Sequence, residues 1–245
     1  MTTRPVRGTA AIAVASLLLA GCGSLPFVGG GEDSPSPTTT PPRQVEPYVL
    51  DDEQAARTIP EPLPGWDRSQ VDDTPTRWRK TDPAECIDVL LLGQPRRDAK
   101  AMQSGRAEAG ATTGSGESLR VLGITVESHE QPLDPALLDR AEQALPQCSA
   151  FAFYGEQAGA QLDERISAEP LEVEPVGQQS LGVRKSLQSS AASGEQKTYY
   201  LDTLAVRDGN TLVVVTLTHT DPDTDLSPLR TTAQEVISAV PEAAR

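Results

Sequence analysis

Two histidines, His129 and His219, are the side chains of this 245-residue chain best suited by type to acid–base chemistry. His129 lies near Glu127 and His219 near Asp221, so a nucleophile–histidine–acid arrangement could form around either. However, the chain has no G-x-S-x-G motif, and the Gly-Ser-Gly stretch at 114–116 lacks the strand–turn–helix context of a nucleophile elbow. We therefore expect both histidines to be surface or strand-end residues, and no catalytic residues.

Three aspartates at alternate positions, Asp221, Asp223 and Asp225, are the best candidate for a metal site, since calcium prefers carboxylate oxygens. The EF-hand pattern breaks at its sixth position, Leu226, and at its twelfth, Thr232. A solvated loop that places acids before a helix explains the same residues. The chain also lacks a His-x-x-x-His pair, a Cys-x-x-Cys pair and a glycine-rich phosphate loop. We expect no metal and no cofactor.

Two tryptophans, Trp66 and Trp78, flank an early segment that contains Pro64 and Gly65. Tryptophan rings either fill a core or offer a flat platform to a ligand. Core packing is the expectation for both, and the sequence names no ligand-binding residue.

Two cysteines that lie well beyond the amino terminus, Cys86 and Cys148, predict a disulfide if the protein is exported. Closing a loop of about 60 residues would contribute about 4 kcal/mol on the chain-entropy model. The alternative is two separate thiols. A catalytic thiol would leave the other cysteine without a partner.

The amino terminus has the pattern of an export signal. Arg4 and Arg7 precede an apolar run from Thr9 to Ala20, which is too short for a spanning helix of about 20 residues. The run ends in Leu19-Ala20-Gly21-Cys22, which closely resembles the lipobox of bacterial prolipoproteins. The resemblance implies cleavage after Gly21, a diacylglycerol on the Cys22 thiol, and acylation of the new amino terminus by a chain such as palmitate. It also implies that the protein is held on the outer face of the cell membrane. The alternative is a secretory signal with a chance cysteine.

Composition divides the rest of the chain. Removing residues 1–21 lowers the net charge from −14 to −16, which argues against binding nucleic acid or anionic headgroups by bulk electrostatics. Residues 22–44 are rich in Pro, Thr and Gly and predict a disordered tether. Residues 45–245 are of a length typical of one domain.

Apolar periodicity predicts four helices. They cover 51–59, a stretch from Asp82 to about Gly93, a stretch from Asp134 to Pro146, and one that begins at Ser227-Pro228 and extends to Val240. Asp82 and Pro83 suit the cap and first position of the second helix. We expect residues 99–109 to continue as helix before a loop.

Strand patterns occupy the intervening segments. Strands are expected at 119–127, 150–154, 182–187 and around Leu171 and Val173. The strongest pattern is a hairpin of two β-rich segments, 197–207 and 211–219, around an Asp-Gly turn. The sequence therefore predicts a single α+β domain with a largely antiparallel sheet, flanking helices and one disulfide.

The order of motifs resembles a known family. The chain has Leu63-Pro64-Gly65-Trp66, a helix opening at Pro83-Ala84-Glu85-Cys86, a Val-rich strand, a helix that ends before Cys148, and the hairpin around Asp208-Gly209. Over residues 55–240 this is similar to the PknH-type extracellular sensor domain of mycobacterial kinases, which also occurs in free-standing actinobacterial lipoproteins. The resemblance implies an antiparallel sheet, disulfide support and a cleft for an unidentified ligand. The family has two disulfides, whereas this chain has cysteines for one, and no catalytic residue is carried over.

Together these features predict a non-catalytic, lipid-anchored envelope lipoprotein whose sensor-like domain binds a small ligand or an envelope protein. Because the chain has no kinase domain, signalling would need a partner. One alternative is an envelope lipid or glycan hydrolase or transferase that uses His129 or His219. Another is a carrier of apolar lipid, which would need a large apolar cavity.

Overall fold

The computed structural model describes residues 47–70, 76–157, 159–190 and 196–245. The predicted signal peptide, Cys22 and the tether lie outside these ranges, so the anchor and the domain boundaries stay predictions. Within the described ranges, no helix is long and apolar enough to cross a membrane.

One antiparallel sheet is the centre of the fold, and it contains nine strands within the described residues, in the order β1-β3-β4-β9-β8-β7-β6-β5-β2. The strands are β1 (Asp67–Ser69), β2 (Thr76–Asp82), β3 (Gln103–Thr113), β4 (Arg120–His129), β5 (Phe151–Gln157), β6 (Ala160–Pro170), β7 (Gln179–Ser190), β8 (Gln196–Asp208) and β9 (Thr211–His219).

Five α-helices flank the sheet in the same part of the chain. They are α1 (Asp52–Arg57), α2 (Cys86–Val89), α3 (Gln94–Ala101), α4 (Ala136–Ala144) and α5 (Ser227–Ala243), with short 3₁₀ turns at Gly116–Ser118 and Leu145–Gln147.

Each face of the sheet has its own core, because side chains alternate between the two faces along every strand. On one face, α1 and α5 pack on alternate valines and leucines of the central strands, such as Val126, Val213 and Leu204. On the other face, α2 and the end of α4 pack on β5 to β7 around the disulfide. Next to them, α3 and α4 pack on Ala205 and Leu212.

The sheet is coiled. Seven peptide units join Ser69 of β1 to Thr76 of β2, and they span at most about 25 Å. If the sheet were flat, these two outer strands would be about 38 Å apart, at about 4.8 Å per neighbour. The sheet must therefore curve until its two edges approach each other.

The predicted fold class is confirmed: the domain is α+β, and Cys86 and Cys148 form a disulfide with their Cα atoms 5.5 Å apart. The hairpin is also confirmed, with Asp208 opposite Thr211 across the turn. Helices α1, α4 and α5 lie where periodicity predicts them.

The expected helix at 99–109 is wrong beyond Ala101, because residues 103–113 form β3, which pairs with β4 along nearly its whole length. Its many Ala and Gly residues have low strand propensity but fit a crowded site. A Cβ atom on Gly105 would lie 2.4 Å from the carbonyl carbon of Asp51. In the same region, the Arg106 amide donates to Asp52 at 2.8 Å.

The second predicted helix starts later than expected. Asp82 is not its cap but the last residue of β2, where it pairs with Ala152 of β5. Only Cys86–Val89 is helical, and a positive φ of 53° at Leu91 separates it from α3. The strand expected around Leu171 and Val173 is also wrong, because residues 171–178 form no strand and these two side chains instead pack against the core of the α5 face.

Candidate binding groove

An open groove of about 750 Å³ lies where β6 and β7 separate, beside the end of α4. Its lining residues are Glu142, Leu145, Pro146, Pro170, Leu171, Glu172, Val173, Glu174, Ser180, Leu181 and Gly182. One wall is the end of α4 and the turn that follows it, and the other is the 171–174 segment.

The groove exists because two strands stop pairing early. The last pair of the β6–β7 ladder is Pro170 with Val183, followed by one hydrogen bond from the Leu171 amide to the Gly182 carbonyl at 3.0 Å. A Cβ atom on Gly182 would lie 2.2 Å from the Leu171 carbonyl oxygen, so only glycine permits this close approach. Beyond this point the chain leaves β7 and packs Leu171 and Val173 against the core of the α5 face.

The opposite wall is fixed by the disulfide. Leu145 is buried in the same cluster as Cys86 and Cys148, and Cys148 lies two residues after Pro146. The bond joins this wall to α2, which packs extensively on α4. The groove wall is therefore held by a covalent link as well as by packing.

Glutamate is the only charged residue type among the described residues of the lining. Glu142, Glu172 and Glu174 are all exposed, and Glu174 pairs with Arg230 at 2.7 Å. The lining is otherwise apolar except for Ser180. The groove thus combines an apolar floor with a negatively charged rim.

A buried ion-pair network lies on the α5 face, at the end of the core. Asp202 is fully buried and accepts two hydrogen bonds of 2.8 Å from Arg184. It also lies 2.8 Å from Nε2 of His219. The His219 ring stacks on Tyr200, with 5.5 Å between centroids. The Asp202 carboxylate raises the pKa of Arg184.

A second buried carboxylate, Glu127, lies on the opposite face and pairs with Arg96 and Arg106. His129, two residues further on, is fully buried, and its Nδ1 donates to the Asn210 carbonyl at 3.1 Å. Burial lowers the pKa of His129, against the opposing effects of that carbonyl and of Glu127.

The two candidate histidines are not brought together. Both end strands, as expected, but neither is on the surface, because the core of the sheet extends over the last residue of β4 and of β9. No nucleophilic side chain hydrogen-bonds either ring within the described residues. Each ring instead joins the buried networks above.

The three aspartates weighed as a calcium loop, Asp221, Asp223 and Asp225, are exposed and hydrogen-bond within their own loop. Asp225 accepts from the Ser227 amide at 3.0 Å, which lowers the pKa of Asp225 at the start of α5. Within the described ranges, no three His, Cys, Asp or Glu side chains are placed to share a metal ion.

Trp66 is partly buried against the core of the α5 face, and Arg120 lies 5.3 Å from its ring centre. Core packing is thus only part of its environment. The side chain of Trp78 lies outside the described part of the structure.

Sequence reasoning did not find Arg184, Asp202 or the groove. The two ionic residues interrupt apolar strands and lie opposite each other in the β7–β8 register. Opposite charges within paired strands are a usable signal once the pairing is known. The groove has no comparable signal, because it depends on where two strands separate.

Fold and groove define the class of the molecule: an α+β domain built on one coiled antiparallel sheet, with an open groove at an interruption of that sheet. No protein-family model and no curated protein matches the sequence. Among solved structures, the extracellular domain of PknH from Mycobacterium tuberculosis matches with a TM-score of 0.50 and 8% identity, over 73% of this chain and 86% of that one. An uncharacterized protein from Mycobacterium smegmatis, the Rv0999 ortholog, gives a TM-score of 0.35 and 15% identity, over 80% of this chain and 97% of that one. The first likeness shows that this chain has the fold of the PknH extracellular domain.

Proposed function

We propose that this protein is a lipid-anchored envelope lipoprotein whose domain binds a ligand or protein partner in the groove and acts in sensing, without catalysis. The groove is the observation that carries the proposal, since concave sites with an apolar lining and a few polar groups are the usual form of binding sites. The fold shared with the extracellular domain of PknH supports an extracytoplasmic role.

The burial of both histidines supports a function without catalysis. Each ring is at most 2% exposed and is engaged by a buried partner, Asn210 or Asp202. A base that removes a proton from a substrate must come within hydrogen-bond reach of it. Neither ring offers a surface for that approach in this conformation.

The anchor is tested by mass spectrometry of the full-length protein extracted from membranes of an actinobacterial host. We expect a chain that begins at Cys22 and carries covalent diacylglycerol and acyl chains. The Cys22→Ala variant should lack these masses and leave the membrane fraction. An unmodified Cys22 on a membrane-bound wild-type chain would contradict the anchor.

Occupancy of the groove is tested by native mass spectrometry and photo-crosslinking. We expect a bound species that leaves on denaturation, or a partner crosslinked from a photoreactive residue placed at Glu172. Pro146→Trp, on the groove wall, should abolish the signal. Pro132→Trp, exposed and outside the groove lining, is the matched control. A bare protein mass together with no crosslink in intact cells would overturn the proposal.

A further inference from the structure

The edge of β7 inside the groove carries free backbone groups. In a strand, the N–H and C=O of alternate residues point to the same neighbour. Since the Gly182 carbonyl points to the β6 side, where Leu171 donates to it, the N–H and C=O of Ser180 point to that side too. On that side the β6–β7 ladder has ended, and the Val176 amide donates to the Ser180 hydroxyl at 3.3 Å, but within the described residues no hydrogen bond to the Ser180 backbone N–H or C=O is found. The groove therefore contains one unpaired rung of a sheet edge.

Apolar side chains lie on both sides of this rung. Leu181 and Leu145 line one side of the groove, and Leu171 and Val173 line the other. An extended chain that pairs with a strand edge directs alternate side chains to opposite sides. The groove is thus shaped for apolar side chains on either side of one extended backbone.

The charges on the groove walls determine which sign of charge such a segment must carry. Glu142 and Glu172 stand on the two walls, and neither has an ion-pair partner among the described residues. Among the residues that the structure describes, no lysine or arginine lines the groove. The net charge of −14 adds long-range attraction for cations. An acidic segment would meet repulsion from both walls.

We infer that the groove binds an extended segment of a partner protein in which neighbouring apolar residues, one directed to each side, are flanked by lysine or arginine. The segment pairs with Ser180, places apolar side chains against the leucines, and places its cations beside Glu142 and Glu172. This inference rests on the proposed function and names the class of its partner.

The test uses full-length protein in mild detergent and three synthetic heptapeptides, measured by fluorescence polarisation. The first has a run of Val at its centre and Lys residues at both ends, the second has Glu in place of Lys, and the third is this Lys-Val peptide with its central amide N-methylated. We expect the Lys-Val peptide to bind and the Glu-Val peptide not to bind. The N-methylated peptide should bind about tenfold more weakly than the Lys-Val peptide, because it loses a backbone hydrogen bond. The affinity should fall as salt is raised.

Two matched double variants test whether the effect of charge on peptide affinity arises in the groove. Glu142→Gln with Glu172→Gln should weaken the Lys-Val peptide about fivefold, as expected for two rim ion pairs. Glu130→Gln with Glu235→Gln makes the same change in net charge at exposed positions outside the groove and should leave affinity unchanged. Near-UV circular dichroism confirms that both variants are folded.

Equal affinity for the Lys and Glu peptides, or equal effects of the two double variants, would overturn the inference. If native mass spectrometry finds a groove-bound species that is not a peptide and the Lys-Val peptide does not bind, the inference fails while the proposed function stands. If neither measurement detects binding, both fail.

Discussion

Asp202 is a carboxylate held inside the sheet by two cationic or polar neighbours. Arg184 forms a two-point hydrogen bond with it, and His219 supplies a third contact. Such a pair gains little net stability over apolar packing, since burying the charges costs several kcal/mol. Breaking it is costly, however, because the remaining charge stays buried without a partner.

We therefore predict that Asp202→Asn lowers the free energy of unfolding by about 3–5 kcal/mol. Urea unfolding followed by circular dichroism measures this loss. Glu61→Gln is the control: it removes the exposed pair with Arg68, whose side chains are 58% and 88% exposed, and should cost less than about 1 kcal/mol. Equal costs for the two variants would show that the buried network is not structural.

His129 makes the stability depend on pH. Burial lowers its pKa in the folded state, so below about 6.5 the unfolded chain takes up the proton more readily than the folded chain. Stability should therefore fall as pH decreases from about 6.5, by at most about 1.4 kcal/mol per pH unit from this group. His129→Gln has no such proton uptake, so its difference in unfolding free energy from wild type should shrink between pH 7.5 and 5.5. A constant difference would contradict the assignment.

Lys185 also has an altered ionisation. It is half-buried on β7, opposite Ala168 of β6 and Leu201 of β8, and desolvation lowers the pKa of its amine to about 8. We expect its signal to titrate with a midpoint of about 8 in NMR of protein whose lysines carry ¹³C-methyl groups. The chain has only four lysines, and Lys185→Arg assigns the signal by deleting it. A midpoint above about 10 would show a solvated amine.

Among the elements, α2 and the end of α4 depend on the disulfide more than on their own helical stability. Helix α2 has four residues and no side-chain cap, far below the length at which helices are stable alone. The bond ties it to the turn that forms one groove wall. This part of the molecule should be the first to loosen when the bond is lost.

Replacing both cysteines by serine should lower the free energy of unfolding by about 4 kcal/mol, for a closed loop of 62 residues. Hydrogen exchange should rise first around residues 86–92 and 145–148, before the central strands. Mild reduction of the wild type should reproduce the same pattern. Uniform acceleration across the sheet would show that the bond stabilises the domain as a whole rather than this wall.

A helix or strand could be predicted from the sequence where the contacts that stabilise it are local in the chain. The β8–β9 hairpin, α4 and α5 have their signals in local turn residues and apolar periodicity, and all three were predictable. Strand β3 owes its conformation to β4 and to residues 50–52, which are distant in sequence, so its Ala and Gly residues gave no strand pattern. Strand β6 is exposed at alternate positions but has four charged residues among its 11, and it was missed as well.

The candidate site was predictable only in part. The disulfide behind the groove wall was predictable from the number of cysteines. Leu171 and Val173 were misread as a strand, because apolar alternation does not distinguish a paired strand from a segment that packs on the core without pairing. The two histidines ended strands as predicted, but burial depends on which helices cover them.

At the scale of the whole molecule, the middle of the sheet is made of distant parts of the chain. Strand β4 pairs with β9, so Val126 lies opposite Val213. Strands β1, β3 and β4 therefore have no strand pairing with β2 or with β5 to β8 until β9 is present. Pairings of such high sequence separation form slowly, since loop closure precedes any gain from contacts.

A chain that ends at Asp208 should consequently fail to fold, although it retains eight of the nine described strands and four of the five described helices. We expect no cooperative transition in thermal unfolding. A chain that ends at Ala243 keeps β9 and α5 and should unfold like the full chain. Cooperative unfolding of the shorter chain would show that its two halves fold independently.

The two outer strands of the sheet are poor templates for another chain. Strand β1 has three residues, and β2 contains Arg77, Arg79 and Lys80 within seven. Short strands and clustered like charges prevent edges from adding to one another. A nine-stranded sheet with long uncharged edges would be prone to form fibrils at high local concentration. The placement of these two strands at the margins therefore protects the protein against aggregation wherever many copies accumulate.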